Sequence, residues 1–155
     1  MAERQVFQDE GAHWYWFTER CLVACPDCGC QATVEKLPGS VYRFVCPHCV
    51  RRREIKVTSF STQPTGNDPW FGYPLWLQVP CCGETLWAFN AEHLALIEDY
   101  VRADLRKGFP ISKSPAPIRN FSMASRLPKW MITARHRDDV LRGINRLRER
   151  LLQTK

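Results

Sequence analysis

Four of the eight cysteines in this 155-residue chain fall into two C-x-x-C pairs, Cys25-Pro-Asp-Cys28 and Cys46-Pro-His-Cys49. The 17 residues between them match the spacing of a metal site built from two such turns. Each turn presents two thiolates to one ion, and a hairpin between the turns brings the pairs together. Four thiolates close a tetrahedron with bonds of about 2.3 Å and leave no open position for a substrate. Such a centre supplies folding energy, on the order of 10–16 kcal/mol in small zinc peptides near neutral pH. One Zn2+ is the expected ion, and iron in a rubredoxin-like sulfur site is the competing one. A catalytic dithiol of the thioredoxin type needs a βαβ context that the chain lacks.

Cys21, Cys30, Cys81 and Cys82 stand outside these pairs. A second closed site at Cys81-Cys82 would have to recruit Cys21 and Cys30, with His93 as a further donor. Neighbouring side chains in an extended segment point to opposite faces, which argues against adjacent cysteines sharing one ion. Small buried thiols are the ordinary alternative, and a vicinal-dithiol redox switch is a third. His13, His48, His93 and His136 lack partners at useful spacing and read as structural or surface residues.

The elements that must position the four ligands are β. Gln31–Lys36 alternates, Pro38-Gly39-Ser40 is turn chemistry, and Val41–Val45 returns as a strand rich in β-branched and aromatic residues. Glu54–Phe60 supplies a third strand, residues 61–69 a loop, and Pro74–Val79 with Glu84–Phe89 a second hairpin across Pro80-Cys81-Cys82-Gly83. Asn90 caps a helix whose apolar face carries Leu94, Ile97, Val101 and Leu105, with Gly108 and Pro110 as its stop. Residues 109–120 hold three prolines and read as a connector. A last helix runs from about Arg137 to Gln153, with Val140, Leu141, Ile144, Leu147 and Leu151 on its apolar side. The expected class is α+β: an N-terminal antiparallel ribbon, a second hairpin packed on it, then C-terminal helices. The expected units are residues 1–60, 61–108 and 109–155. The Trp14-Tyr15-Trp16-Phe17 cluster is expected to pack on the strands after it, with base stacking as the alternative.

Residues 21–60, with two C-P-x-C knuckles on a small antiparallel sheet, resemble the zinc ribbons of transcription and replication proteins. Gly29 follows the first knuckle as in the usual form, whereas Val50 stands where glycine is common after the second. The phrases GYPLWLQVPCCGETLWAFN and SMASRLPKW also resemble uncharacterised bacterial proteins that contain a zinc ribbon. That wider resemblance implies no activity.

Charge is divided unevenly. Residues 1–101 hold eight basic and twelve acidic side chains, a net −4; residues 102–155 hold fourteen against four, a net +10. A basic region so separated suggests an anionic partner, nucleic acid first, with a solvated helix face as the plain alternative. Candidate contacts are Arg51, Arg52 and Arg53, directly after the second knuckle, together with Lys129, Arg142, Arg146 and Arg150. Trp130 is expected to anchor its segment to the ribbon or to stack on a base. The competing class is an adaptor that docks on another protein through its aromatic and hairpin surfaces. No nucleophile–base set, phosphate loop, paired acids or open metal site points to an enzyme. With no run of about 18 apolar residues and no secretory pattern at residues 1–16, the expected compartment is cytoplasmic, where thiols stay reduced.

Overall fold

The computed structural model describes residues 5–9, 14–58, 66–103, 105–107, 123 and 127–153. Along them run β1 (Val6–Gln8), α1 (Trp14–Thr18), β2 (Arg20–Ala24), β3 (Gln31–Leu37), β4 (Val41–Val45) and β5 (Arg52–Lys56). After these come β6 (Leu77–Cys81), β7 (Glu84–Ala88), α2 (Ala91–Arg102), β8 (Leu105–Lys107), α3 (Lys129–Ile132) and α4 (Arg137–Leu151). The architecture is α+β, with a four-stranded antiparallel sheet, a second hairpin and C-terminal helices.

Alternation along β2, β3 and β4 sends Cys21, Val23, Ala32, Val34, Tyr42 and Phe44 to one face, where they are buried. On the other face the register aligns Arg20, Glu35, Arg43 and Glu54 across all four strands. These charges alternate in sign, and such cross-strand pairs contribute roughly 0.2–1 kcal/mol each. The strand expected at Glu54–Phe60 begins earlier, at Arg52. The reason is that Cys46 N–H donates to Arg51 O at 2.9 Å, which closes the second knuckle and sets the chain in register at once. Phe60 lies outside the described residues.

A turn rich in aromatic residues covers the buried face. The Asp68 carboxylate accepts from the backbone N–H groups of Trp70, Phe71 and Tyr73 at 2.7–2.9 Å. Burial pushes this carboxyl above its usual pKa, and the N–H donors oppose that rise. The turn stacks Trp70 on Tyr42 at 3.9 Å and sets Tyr73 edge-on to Phe44 at 5.1 Å. Pro74–Trp76 then runs along the outer side of β2 through Ala24 N–H to Pro74 O and Trp76 N–H to Leu22 O, both 2.9 Å. The second hairpin therefore begins at Leu77 rather than Pro74, because residues 74–76 pair with β2 instead of β7.

A second core lies between the β6–β7 hairpin, α2 and α4, where Trp76, Leu77, Leu86, Leu94, Ile97, Val101, Val140, Ile144 and Leu147 are buried. Asn90 holds the start of α2: its Oδ1 accepts from His93 N–H at 2.9 Å, and its Nδ2 donates to Phe17 O and Arg20 O. The helix ends at Arg102, with Ala103 already extended. Leu105, expected on the helical face, lies instead in β8 and pairs in parallel with Val6 of β1. That pairing is made with a strand some hundred residues earlier, so local periodicity carries no sign of it. Gly143 lets α4 approach the hairpin: a Cβ there would stand 2.8 Å from Leu86 Cδ2. At the far end of α4, Trp76 Nε1 donates to Arg150 O at 2.9 Å, Arg150 Nε donates to Trp76 O, and the guanidinium lies 3.9 Å over the indole ring. Of the N-terminal aromatic cluster, Phe17 packs on the first core while Trp16 stays 67% exposed; the side chains of Trp14 and Tyr15 lie outside the described set. The connector at 109–120 also lies outside the described residues.

Candidate metal centre

The two knuckles are built alike. In the first, Cys25 N–H donates to Cys30 O at 2.9 Å and Gly29 N–H donates to Cys25 O at 2.8 Å. In the second, Cys46 and Arg51 make the matching closure. Gly29 and Val50 occupy equivalent places, and both have left-handed backbones, with φ of 73° and 62°. Valine therefore does not change the turn. It adopts the same conformation under strain, with its side chain 78% exposed. Because β3 and β4 pair continuously from Thr33↔Val45 to Leu37↔Val41, the hairpin between the knuckles holds both at one end of the sheet.

The Sγ atoms of Cys25, Cys28, Cys46 and Cys49 all lie within 4.8 Å of one another. Cys25–Cys49 and Cys28–Cys46 are separated by 3.7 and 3.5 Å. A tetrahedron with bonds of about 2.3 Å has edges of about 3.8 Å, so these sulfurs fit a single ion with little adjustment. Burial opposes ionisation of Cys46, but hydrogen bonds from the Cys49 and His48 backbone, and from the Cys28 and Cys49 thiols, bring it down to about 7. The four cysteines can hold a metal ion in a closed, ribbon-like site, and among the described residues no other group offers three or more such ligands.

An ion pair between Arg51 and Asp27 ties the second knuckle to the first. In the sequence Asp27 reads only as a spacer within Cys25-Pro-Asp-Cys28; an acid in one knuckle and a base flanking the other is the signal that could have found it. Arg51, Arg52 and Arg53 are all exposed and cluster beside the metal site. Arg53 continues the buried row at the sheet edge, donates to Tyr73 Oη at 2.7 Å and lies 5.9 Å over Phe71. β5 is the last strand of its sheet, so Lys56 stands on the same edge.

The basic helix is more committed than its composition implies. Arg137 donates to Arg102 O, Arg142 pairs with Asp139, Arg148 with Glu98, and Arg150 with Trp76. Partial burial works against Glu98 ionisation, yet Arg148 and Arg102 hold its carboxyl below the usual range. Arg142–Asp139 is exposed on both sides, and such pairs are worth about 0–1 kcal/mol, so a phosphate can compete for Arg142. Arg150 is different: it is half-buried on Trp76 and works as a latch. Arg146 and Lys129 are exposed. Trp130 packs on the second core, not on the ribbon.

The remaining cysteines do not gather. Cys21 Sγ donates to Thr18 O and Cys30 Sγ to Cys28 O, whereas Cys81 and Cys82 sit together at the tip of the β6–β7 hairpin. His93 is buried in α2 with Nδ1 accepting Phe89 N–H at 3.0 Å, ringed by Phe17, Trp87 and Phe89. Burial depresses its pKa to about 3, so it is a neutral core residue. No known family model matches the chain, and no curated protein or solved structure matches it either.

Proposed function

We propose that this protein is a zinc-stabilised binding module that contacts the phosphate backbone of a nucleic acid and does no chemistry of its own. The observation that carries the reading is the exposed cationic edge strand, with Arg51, Arg52 and Arg53 next to the second knuckle and Lys56 at the strand's other end, opposite Val41. A metal site closed by Cys25, Cys28, Cys46 and Cys49 holds that edge rigid without offering a coordination position to a substrate. The net +10 of residues 102–155 adds a second basic region, in which Lys129 of α3 and Arg142 and Arg146 of α4 are exposed contacts. Arg150 drops out of the interface because its guanidinium is held on Trp76.

Backbone binding of this kind is driven by counterion release and falls steeply with salt. Four phosphate contacts, Arg52 and Lys56 on the edge with Lys129 and Arg146 in the basic region, correspond to a loss of about 10²-fold in affinity between 50 and 200 mM salt. The test is oligonucleotide binding at those two salt concentrations on protein carrying its metal. An Arg52→Glu, Lys56→Glu double variant is expected to weaken binding and flatten its salt dependence without disturbing the fold. Absence of binding to duplex and single-stranded DNA and RNA at low salt would leave the protein-adaptor reading in its place.

A further inference from the structure

Cys82 and Gly83 are the two central residues of the β6–β7 turn, with Cys81 paired to Glu84 across it. Both have positive φ, 55° and 77°, which makes a type I′ turn. That turn favours Asn, Asp or Gly at its first central position, and a cysteine there is held under strain. The strained backbone also overturns the expectation that adjacent side chains diverge: the two Sγ atoms stand only 3.6 Å apart. Cys81 Sγ is buried against α4, where it meets Asp139 O at 3.6 Å and where Gly143 lacks a side chain. Cys82 is half-buried. One sulfur is thus fixed in the protein and the other is accessible to solvent.

Three fates for such a pair can be separated by geometry. A disulfide between neighbours must span Cα atoms only about 3.8 Å apart, below the usual 4.4–6.8 Å, so oxidation strains the turn. A closed zinc site needs two more ligands, and none joins the pair among the described residues. A bridging soft ion needs neither. With sulfur bonds of about 2.3 Å, the S···S edge is about 3.8 Å at tetrahedral angles and about 3.3 Å at right angles. The observed 3.6 Å lies between these limits.

We propose that Cys81 and Cys82 form a second, independent thiol site: a two-sulfur chelate for a soft thiophilic ion of low coordination number, with trivalent arsenic the best-suited class. Such an ion accepts two thiolates and keeps its third position for a small ligand or organic group. Binding of phenylarsine oxide balances without a redox partner. Two S–H bonds are lost, two As–S bonds form, the arsenic oxygen leaves as one water, and arsenic stays trivalent. Burial and the neighbouring Cys82 push the Cys81 thiol up to about 11, Asp139 adds to the rise and Arg146 on α4 offsets part of it, so the pair meets the ligand as thiols that give up their protons on binding.

The experiment adds one equivalent of phenylarsine oxide to protein that holds its ribbon metal, followed by native mass spectrometry. One adduct with the ribbon metal retained is the expected result. Cys81→Ser and Cys82→Asn should each weaken it by about 10²-fold or more, the advantage of a chelate over a single thiol. Asn-Gly is the preferred type I′ pair, so Cys82→Asn keeps the fold and isolates the thiol. Cys21→Ser and Cys30→Ser should leave the adduct intact. An adduct that survives Cys82→Asn, one that forms only as the ribbon metal departs, or none at one equivalent overturns the proposal.

Discussion

Replacing Gly143 by alanine should destabilise the protein even though alanine is the best helix former. The added Cβ would lie 2.8 Å from Leu86 Cδ2, with Cys81 Sγ at 3.7 Å and Val79 Cγ2 at 3.8 Å. Carbon atoms at rest are about 3.5–4.0 Å apart, so the first contact is too short by roughly 1 Å. Leu86 is fully buried and cannot swing into solvent. Overpacking of this kind costs about 1–3 kcal/mol, and Gly→Ala in a helix interior returns about 1 kcal/mol. The expected outcome is a net loss of up to about 2 kcal/mol. Urea unfolding followed by circular dichroism and tryptophan fluorescence measures it. Exposed Asn145→Ala, two residues along the same helix, is the control and should be neutral or slightly stabilising. Combining Gly143→Ala with Leu86→Val should cost less than the sum of the two single changes by about 1 kcal/mol, because the clashing methyl is gone. Stabilisation by Gly143→Ala, or additivity within about 0.3–0.5 kcal/mol, would refute the close approach of α4 to the hairpin.

The metal site and the buried histidine each give a further outcome. Cys46→Ser, or a chelator added to the native chain, should remove one metal ion per chain and most of the folded population, read by native mass and near-ultraviolet dichroism; a variant with unchanged fold and metal content would remove the ribbon site from the account. His93 should make stability fall with acid: the folded state keeps its ring neutral down to about pH 3, while the unfolded chain takes up a proton below about 6.5. Stability contributed by neutral His93 is therefore present above 6.5 and lost progressively towards 3, about 2 kcal/mol of it by pH 5. Comparing urea midpoints of the native chain and His93→Gln at pH 7.5 and 5 isolates this proton, since ligand protonation at the metal is common to both. Equal slopes would show that His93 is not buried as described.

What local pattern can carry was legible in the residues. Two C-x-x-C turns 17 residues apart imply a hairpin between them, and the structure has that hairpin with all four sulfurs converged. Asn90 caps α2 by the side-chain bond its type favours. What was not legible depends on contacts between distant residues. The β1–β8 pairing cuts α2 short of Leu105, and the run Pro74–Trp76 leaves its expected hairpin to edge β2. The arginines of α4 read as one patch because sequence spacing does not reveal Glu98 or Trp76 beneath them. Cys81 and Cys82 read as part of the hairpin's connection with their side chains pointing apart, and only the positive φ of a tight turn brings their sulfurs together.

The Trp76–Arg150 latch has a consequence for synthesis on the ribosome. The ribbon strands lie within residues 20–56 and pair with near neighbours, so this part can close and take its ion early. The β6–β7 hairpin cannot bury Leu86 and Leu77 until α4 has emerged, roughly 60 residues later. In that interval an apolar sheet face stands open to solvent, the state in which nascent chains aggregate or recruit chaperones. Metal binding at the ribbon leaves that face open; only packing of α2 and α4 against the hairpin closes it.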